Sequence, residues 1–167
     1  MDELFVKIAN GAIPSYKLYE DELTYSFLDI NPLSEGHCLV IPKKKYTKID
    51  EVPPATAKAL GETVVKLANA LKIATGCHDY NVLQNNGKSA HQEVPHVHFH
   101  IIPKQSNGEG LGVTWKSSKL ENAEKVQKKI TDALMSLQDK NRLCRDVVPR
   151  NYNVTLKPDF ETFKFDG

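Results

Sequence analysis

The chain has 167 residues, of which 40% are hydrophobic and 26% charged, as is typical of one globular domain rather than a disordered chain. The formal net charge of +1 gives no electrostatic reason to expect nucleic acid or an anionic membrane as a partner. Cys38, Cys77 and Cys144 lack metal-ligand or disulfide spacing, so we expect free thiols. With no secretory signal and no apolar run long enough to span a bilayer, we expect a cytoplasmic protein that also enters the nucleus.

The hydrophobic pattern predicts eight elements along the chain. From Leu60 onward, apolar residues recur at the helical period until Gly76. Ser118 and Glu121 have the spacing of a capping box, which predicts a helix start there. In chain order, we predict a helix over residues 2–10, strands over 17–20, 23–30 and 37–42, a helix over 55–73, strands over 80–84 and 94–102, and a helix after residue 118.

These elements together predict an α+β fold, in which an antiparallel sheet packs with two main helices. Residues 1–117 are expected to form the domain. Residues 118–167 are expected to form a carboxy-terminal helix and an extended tail, packed on the domain or on a dimer partner. The pattern does not distinguish between those two packing sites.

Three of the six histidines, His96, His98 and His100, alternate with apolar residues in one short segment. On a strand, successive side chains point to opposite faces, so the three imidazoles share a face while Val97 and Phe99 pack into the core. Such a cluster suits a three-histidine metal site with an open coordination position. It also suits nucleophilic catalysis at phosphorus, because a large fraction of imidazole is neutral near pH 7. The residues alone leave both chemistries open.

Residues 96–102 resemble the histidine-triad (HIT) motif, His-φ-His-φ-His-φ-φ, where φ is apolar. The similarity to the Hint branch of that family extends over about residues 3–116, at residues 7–11, 13–15, 27–32, 35–37 and 40–43. The resemblance implies a HIT-like, two-fold homodimer. It also implies hydrolysis of purine nucleotide phosphoramidates of the AMP-amine type through a nucleotidyl-histidine intermediate, with no metal and no cofactor.

The resemblance implies catalytic roles for four histidines of this chain. His98 aligns with the nucleophile that attacks the α-phosphorus of a nucleotide. His100 aligns with the imidazole that contacts the α-phosphate. His96 and His37 align with histidines that support the orientation and protonation of the nucleophile.

The resemblance also implies a set of nucleotide-binding residues. Asp29 aligns with the carboxylate that accepts hydrogen bonds from the ribose hydroxyls, although an Asp shortly before Asn31-Pro32 is also typical of a plain turn. Ile30 aligns with the base pocket, and Asn85 with a polar residue near the phosphate. Gln92 and Glu93 occupy the loop that meets the phosphate and the leaving group.

Some positions differ from the usual pattern of the family. Many Hint-branch proteins have a Cys-x-x-Cys pair where this chain has Glu3 and Val6, so the zinc site built that way is not expected. His91 replaces a common Gly in the nucleotide-binding loop and either narrows the leaving-group side or adds a proton donor. Glu93 replaces a common Ser or Thr, and its carboxylate favours amine over polyphosphate leaving groups. Trp115 aligns with a residue that approaches the partner subunit's site.

Three other functions fit the same residues. A diadenosine polyphosphate hydrolase would use the same nucleophile with a nucleotide leaving group. A nucleotide-binding sensor or scaffold would keep the pocket with only vestigial activity, and a three-histidine metalloprotein would bind an ion at the cluster. In the favoured interpretation the partners are a small-molecule nucleotide and a second copy of the chain, without nucleic acid or membrane.

Overall fold

A computed structural model describes residues 3–106, 108–114, 116–119 and 121–143. The chain divides into two units, Met1–Thr114 and Trp115–Gly167. In the first unit the helices and strands are α1 (Leu4–Ala9), β1 (Lys17–Glu20), β2 (Thr24–Leu28), β3 (Cys38–Pro42), α2 (Pro54–Thr75), β4 (Tyr80–Gln84) and β5 (Phe99–Pro103). The second unit contains α3 (Ala123–Leu143).

The five strands form one antiparallel sheet in the order β1-β2-β3-β5-β4. The predicted α+β class with an antiparallel sheet is therefore confirmed. In the middle of the sheet His100 of β5 pairs with Leu39 of β3 on one side and with Leu83 of β4 on the other. Two neighbouring strands thus fix the position of this imidazole.

Helix α2 covers one face of the sheet. It has Pro54 at its first turn, where the missing N–H costs nothing, and it ends at Gly76, whose φ of 69° places it in the left-handed region. Its buried leucines share a core cluster with residues of β3 and β5. Burial of each leucine of this kind contributes about 1.5–3 kcal/mol to the free energy of unfolding.

Helix α1 covers part of the opposite face, where Phe5 and Ile8 pack with Phe27, Leu39 and Ile41. Strand β3 alternates between the two cores, since Val40 faces the α2 cluster while Leu39 faces the α1 cluster. The same alternation in β5 directs Ile101 into the α2 core. It leaves the even-numbered side chains of β5 on the α1 face.

Two predicted boundaries were wrong by more than two residues. The last strand was expected over residues 94–102, but β5 begins at Phe99, because the chain bends where the His96 N–H donates to the Val94 carbonyl at 2.8 Å. The last helix was expected directly after Ser118 with a capping box. Helix α3 instead begins at Ala123, immediately after Asn122, whose φ is 54°.

Some predictions fall on parts of the chain that are not described. Trp115 and the tail over residues 144–167, including Cys144, lie outside the described residues. The domain boundary after residue 117 stays a prediction. Among the described residues, no helix has the length and apolar character needed to cross a membrane.

Candidate active site

A cavity of about 530 Å³ opens on the α1 face of the sheet, a size within the range of small-molecule sites. Its apolar lining comes from side chains of α1, β2 and β3. Its polar lining comes from Asp29, His37, His98 and His100, together with Asn85, His91 and Glu93 of the loop before β5. The cavity therefore combines apolar walls with a cluster of imidazoles.

His98 has one ring nitrogen engaged by the backbone. Its Nδ1 lies 2.7 Å from the His96 carbonyl oxygen, to which only an Nδ1–H can donate. The neutral ring therefore carries a lone pair on Nε2, the atom that can act as a nucleophile. Burial lowers the pKa of His98, while the His96 carbonyl and the negative charges of Asp29 and Glu93 oppose that shift. The ring packs edge-on against Phe5 at 5.3 Å between centroids.

His100 lies next to His98, with 4.8 Å between the ring centroids. Its Nδ1 is 2.9 Å from His37 Nε2, and His37 Nδ1 in turn accepts a hydrogen bond from the Leu33 N–H at 3.1 Å. Burial, followed by repulsion from His98 and His37, lowers the pKa of His100 to about 4, while Asp29 acts in the opposite direction. At neutral pH His100 is therefore an uncharged ring.

His96 occupies a different position from the one that strict alternation implied. It is only 1% exposed, its Nε2–H donates to the Pro42 carbonyl at 2.8 Å, and it does not line the cavity. Its Nδ1 is buried without a hydrogen-bond partner among the described residues. The expectation of three imidazoles in one cavity is thus corrected: His98 and His100 of the motif line it, and His37 of the turn before β3 joins them.

Asp29 makes a turn interaction and also lines the cavity. Its Oδ1 accepts the Asn31 N–H at 2.8 Å, which is the turn interaction expected for Asp at this place. Its Oδ2 lies 3.6 Å from His37 Nε2, and the residue lines the cavity. Ile30, which is 79% exposed, also lines the cavity.

The loop before β5 is held by side-chain bonds to the backbone. Gln92 is buried; its Oε1 accepts the Gly87 N–H and its Nε2 donates to the Thr47 carbonyl, each at 2.7 Å. Its side chain therefore braces the loop. Gln92 is not one of the residues that line the cavity, contrary to the expected nucleotide contact. Asn85 and His91 do line it, and Asn85 Nδ2 donates to the His91 carbonyl at 3.2 Å.

The charges around the cavity are negative. Asp29 and Glu93 are carboxylates, and the described lining residues include no Lys or Arg. A bound phosphate would therefore be held by neutral N–H donors rather than by cationic side chains. The part of the chain that is described offers one cluster with metal-ligand spacing, Asp29, His37 and His100, whose ligand-type atoms lie within 4.8 Å of one another.

Two contributors to this site were not identified from the sequence. Phe5 packs against His96 and His98, but its only sequence signal is the apolar face of a short helix. The backbone N–H of Leu33 bonds to His37, and a backbone donor has no sequence signal of its own. His37, which was expected to support the orientation and protonation of the nucleophile, contacts His100.

The fold and the cavity define an α+β domain that presents a neutral imidazole with a free Nε2 beside a second neutral imidazole. Residues 10–107 match the HIT domain family, and the chain belongs to this family. The HIT and Hint-branch resemblance of the motifs is thereby confirmed.

Similar proteins with curated names agree with this assignment. The adenosine 5′-monophosphoramidase HNT1 of Candida albicans is 42% identical over 81% of this chain and 93% of its own length. The adenosine 5′-monophosphoramidase HNT1 of Saccharomyces cerevisiae is 47% identical over 71% of this chain and 72% of its own length. A crystal structure of a histidine triad nucleotide-binding protein from Candida albicans superimposes with a TM-score of 0.74 at 42% identity, over 80% of this chain and 98% of that one.

Proposed function

We propose that this protein hydrolyses purine nucleotide phosphoramidates of the AMP-amine type through a nucleotidyl intermediate on His98. The observation that carries the proposal is the 2.7 Å bond from His98 Nδ1 to the His96 carbonyl, because it leaves the Nε2 lone pair available for attack. The two HNT1 relatives are named for the same activity, which supports this choice among reactions at phosphorus.

The reaction has two displacements at the α-phosphorus. In the first, the Nε2 lone pair of His98 forms a bond to phosphorus, the P–N bond to the amine breaks, and the amine takes up a proton from solvent. In the second, water attacks the nucleotidyl-histidine, its proton goes to solvent, the P–Nε2 bond breaks, and His98 regains its lone pair. The products are the free amine and the nucleoside monophosphate.

The remaining side chains would bind and orient the substrate. Asp29 would accept hydrogen bonds from the ribose hydroxyls, and the apolar side chains of the cavity, with Ile30, would take the base. His100 would donate to a phosphoryl oxygen, as would backbone N–H groups of Glu93 and Val94. The Gln92 N–H is bound to the Gly87 carbonyl at 3.1 Å, so we exclude it from this set.

Three further residues would support the reaction without bonding to phosphorus: His96, Asn85 and His91. His96 positions the nucleophile through its carbonyl, while its own ring is fixed to Pro42. Asn85 holds the backbone at His91, and both residues line the cavity, where they would contact the phosphate or the leaving group.

The carboxylates favour amine leaving groups over the diadenosine polyphosphate alternative. The polyphosphate that leaves in that reaction is strongly anionic, and Glu93 and Asp29 line the cavity without a described Lys or Arg to offset them. A sensor or scaffold would bind nucleotide without useful turnover, and the experiment below distinguishes that function as well.

A homodimer would cover apolar side chains that are exposed on the domain. Strand β4 is an edge of the sheet, and its Tyr80 and Val82 are 37% and 47% exposed. On α2, Val65 is 61% exposed. An exposed edge strand with apolar side chains is usually covered, and a second copy of the chain would cover it. The cytoplasmic and nuclear location stays a prediction.

The test is to trap the intermediate. The protein is mixed with adenosine 5′-phosphoramidate or with a diadenosine polyphosphate, quenched within milliseconds, and digested under conditions that preserve phosphoramidate bonds. We expect the added mass of AMP on His98 with the phosphoramidate, and faster steady-state turnover of it than of the polyphosphate. Absence of the adduct together with turnover by His98→Ala would overturn the mechanism, and binding without turnover of either substrate would indicate the sensor.

A further inference from the structure

Four polar groups form a chain of contacts that ends at His100, which lines the cavity. The Leu33 N–H donates to His37 Nδ1 at 3.1 Å, and His37 Nε2 lies 2.9 Å from His100 Nδ1. Asp29 Oδ2 lies 3.6 Å from the same His37 Nε2. His37 is only 3% exposed, so water does not substitute freely for these partners.

The backbone fixes the proton on His37. A peptide N–H is always a donor, so His37 Nδ1 must be the acceptor in the contact with Leu33 and cannot carry a proton. An imidazole without a proton on Nδ1 keeps its single proton on Nε2. His37 is therefore a neutral Nε2–H donor, and that donor faces His100 Nδ1.

The same reasoning extends one ring further. Because His37 presents an N–H, His100 Nδ1 must accept, and the proton of neutral His100 lies on Nε2. We infer that His37 is a positioning residue that holds His100 as a fixed, neutral Nε2–H donor towards the phosphoryl group. This inference rests on the proposed function only for its kinetic consequence.

This series of hydrogen-bonded groups cannot pass a proton from one ring to the next. If His100 gave its Nε2 proton to the leaving amine, His37 would have to replace it at Nδ1. His37 would then have no ring proton, because neither the Leu33 amide nor the Asp29 carboxylate, which carries no proton, can supply one. His100 therefore donates a hydrogen bond as negative charge grows on the phosphoryl oxygens, and the amine takes its proton from elsewhere.

The same contact argues against a metal ion at Asp29, His37 and His100. Coordination through His37 Nε2 would require a proton on Nδ1, and that proton would face the Leu33 N–H at close range. The three groups are thus better explained as a hydrogen-bonded chain than as a ligand set.

Two substitutions at His37 separate its donor from its acceptor. In His37→Asn the side-chain oxygen reaches about as far as Nδ1 and can still accept from Leu33, but nothing reaches His100. In His37→Gln the amide nitrogen reaches about as far as Nε2 and can still donate to His100. His37→Gln is therefore the rescuing variant and His37→Asn the disrupting one.

The first measurement needs no substrate. Nitrogen-15 NMR of the imidazoles in the wild-type protein should show His37 and His100 both protonated on Nε2 only, between pH 6 and 8. In His37→Asn the His100 signals should move towards a mixture of tautomers, and in His37→Gln they should stay as in the wild type. Protonation of wild-type His37 or His100 on Nδ1 would overturn the inference, whether or not the protein is a phosphoramidase.

The second measurement is kinetic. We expect kcat for adenosine 5′-phosphoramidate to fall by at least about tenfold in His37→Asn with little change in KM, and to recover to within about threefold of wild type in His37→Gln. In His37→Asn, kcat should also fall on the acidic side of its pH profile, where His100 takes up a proton. Equal losses in both variants with unchanged thermal stability and unchanged His100 tautomer would contradict the inference.

Discussion

The two motif histidines that line the cavity, His98 and His100, show how one type of side chain is given two chemical roles. His98 Nδ1 faces a carbonyl oxygen, so the proton is on Nδ1 and Nε2 has the lone pair. His100 Nδ1 faces the N–H of His37, so the lone pair is on Nδ1 and Nε2 has the proton. The rings are 4.8 Å apart, and their proton placements are opposite.

The difference originates in the backbone in both cases. The acceptor for His98 is the carbonyl of His96, and the donor that starts the other chain is the amide of Leu33. Backbone groups do not titrate, so each ring keeps its tautomer over the pH range in which it is neutral. A nucleophile and a hydrogen-bond donor can thus lie side by side without exchanging roles.

The largest expected effect comes from removing Nε2 of His98, the proposed nucleophile. In His98→Asn the amide nitrogen lies about where Nδ1 lies and can still donate to the His96 carbonyl, but the side chain has no counterpart of Nε2. We expect kcat/KM for adenosine 5′-phosphoramidate to fall by at least about 10⁴-fold, because the covalent route is lost. Steady-state assays measure the loss, and thermal unfolding serves as the control for folding.

A small loss would contradict the assigned roles. If His98→Asn retained activity within about a hundredfold of wild type, another group would have to be the nucleophile. His78, which is exposed, provides the comparison variant: His78→Gln should leave turnover unchanged.

The regular elements were predictable because periodicity and end signals are local. Helix α2 was expected over residues 55–73 with an end at Gly76, and it spans Pro54–Thr75 with that glycine as its cap. The predicted strand over 80–84 coincides with β4 (Tyr80–Gln84). Both segments carry their patterns in a continuous run of residues.

The irregular parts depend on bonds between distant residues, which no local pattern records. Before β5 the chain is held by the Val97 N–H on the Tyr46 carbonyl at 2.7 Å, so regular strand pairing starts only at Phe99. Gln92 carries the same sequence signal whether it binds a ligand or braces a loop. The motif indicated the histidines, whereas the partners that set their protons had to be seen in the structure.

The second prediction concerns the stability of the protein in acid and sharpens the comparison between His98 and His100. Burial lowers the pKa of all four clustered histidines, and that of His100 to about 4 from an ordinary value of 6.5. Below pH 6.5 the unfolded chain binds protons that the folded protein excludes, so the free energy of unfolding falls as pH drops. His100 accounts for at most about 3 kcal/mol of this loss near pH 4, because solvent partly screens the ring and because its folded form also begins to bind a proton there.

Urea unfolding between pH 7.5 and 4.5 measures this loss. His100→Gln should show a shallower decline than the wild type, because one excluded proton has been removed. His78→Gln should decline like the wild type, since this histidine is exposed. A decline of the same steepness in His100→Gln and in the wild type would show that burial does not hold His100 neutral.

The smallest expected effect lies where the histidine chain meets the proposed ribose site. In Asp29→Asn the side-chain oxygen can still accept the Asn31 N–H, so the turn is kept while the negative charge is lost. A hydrogen bond to a charged group contributes about 1.5–3 kcal/mol, so kcat/KM should fall by about 10- to 100-fold, mainly through KM. A 2′,3′-dideoxy substrate separates ribose binding from the effect of Asp29 on His37. If Asp29 accepts the ribose hydroxyls, this substrate should be turned over almost equally by both proteins. A loss of the same size with both substrates would mean that the carboxylate acts through His37, 3.6 Å away, and not on the sugar.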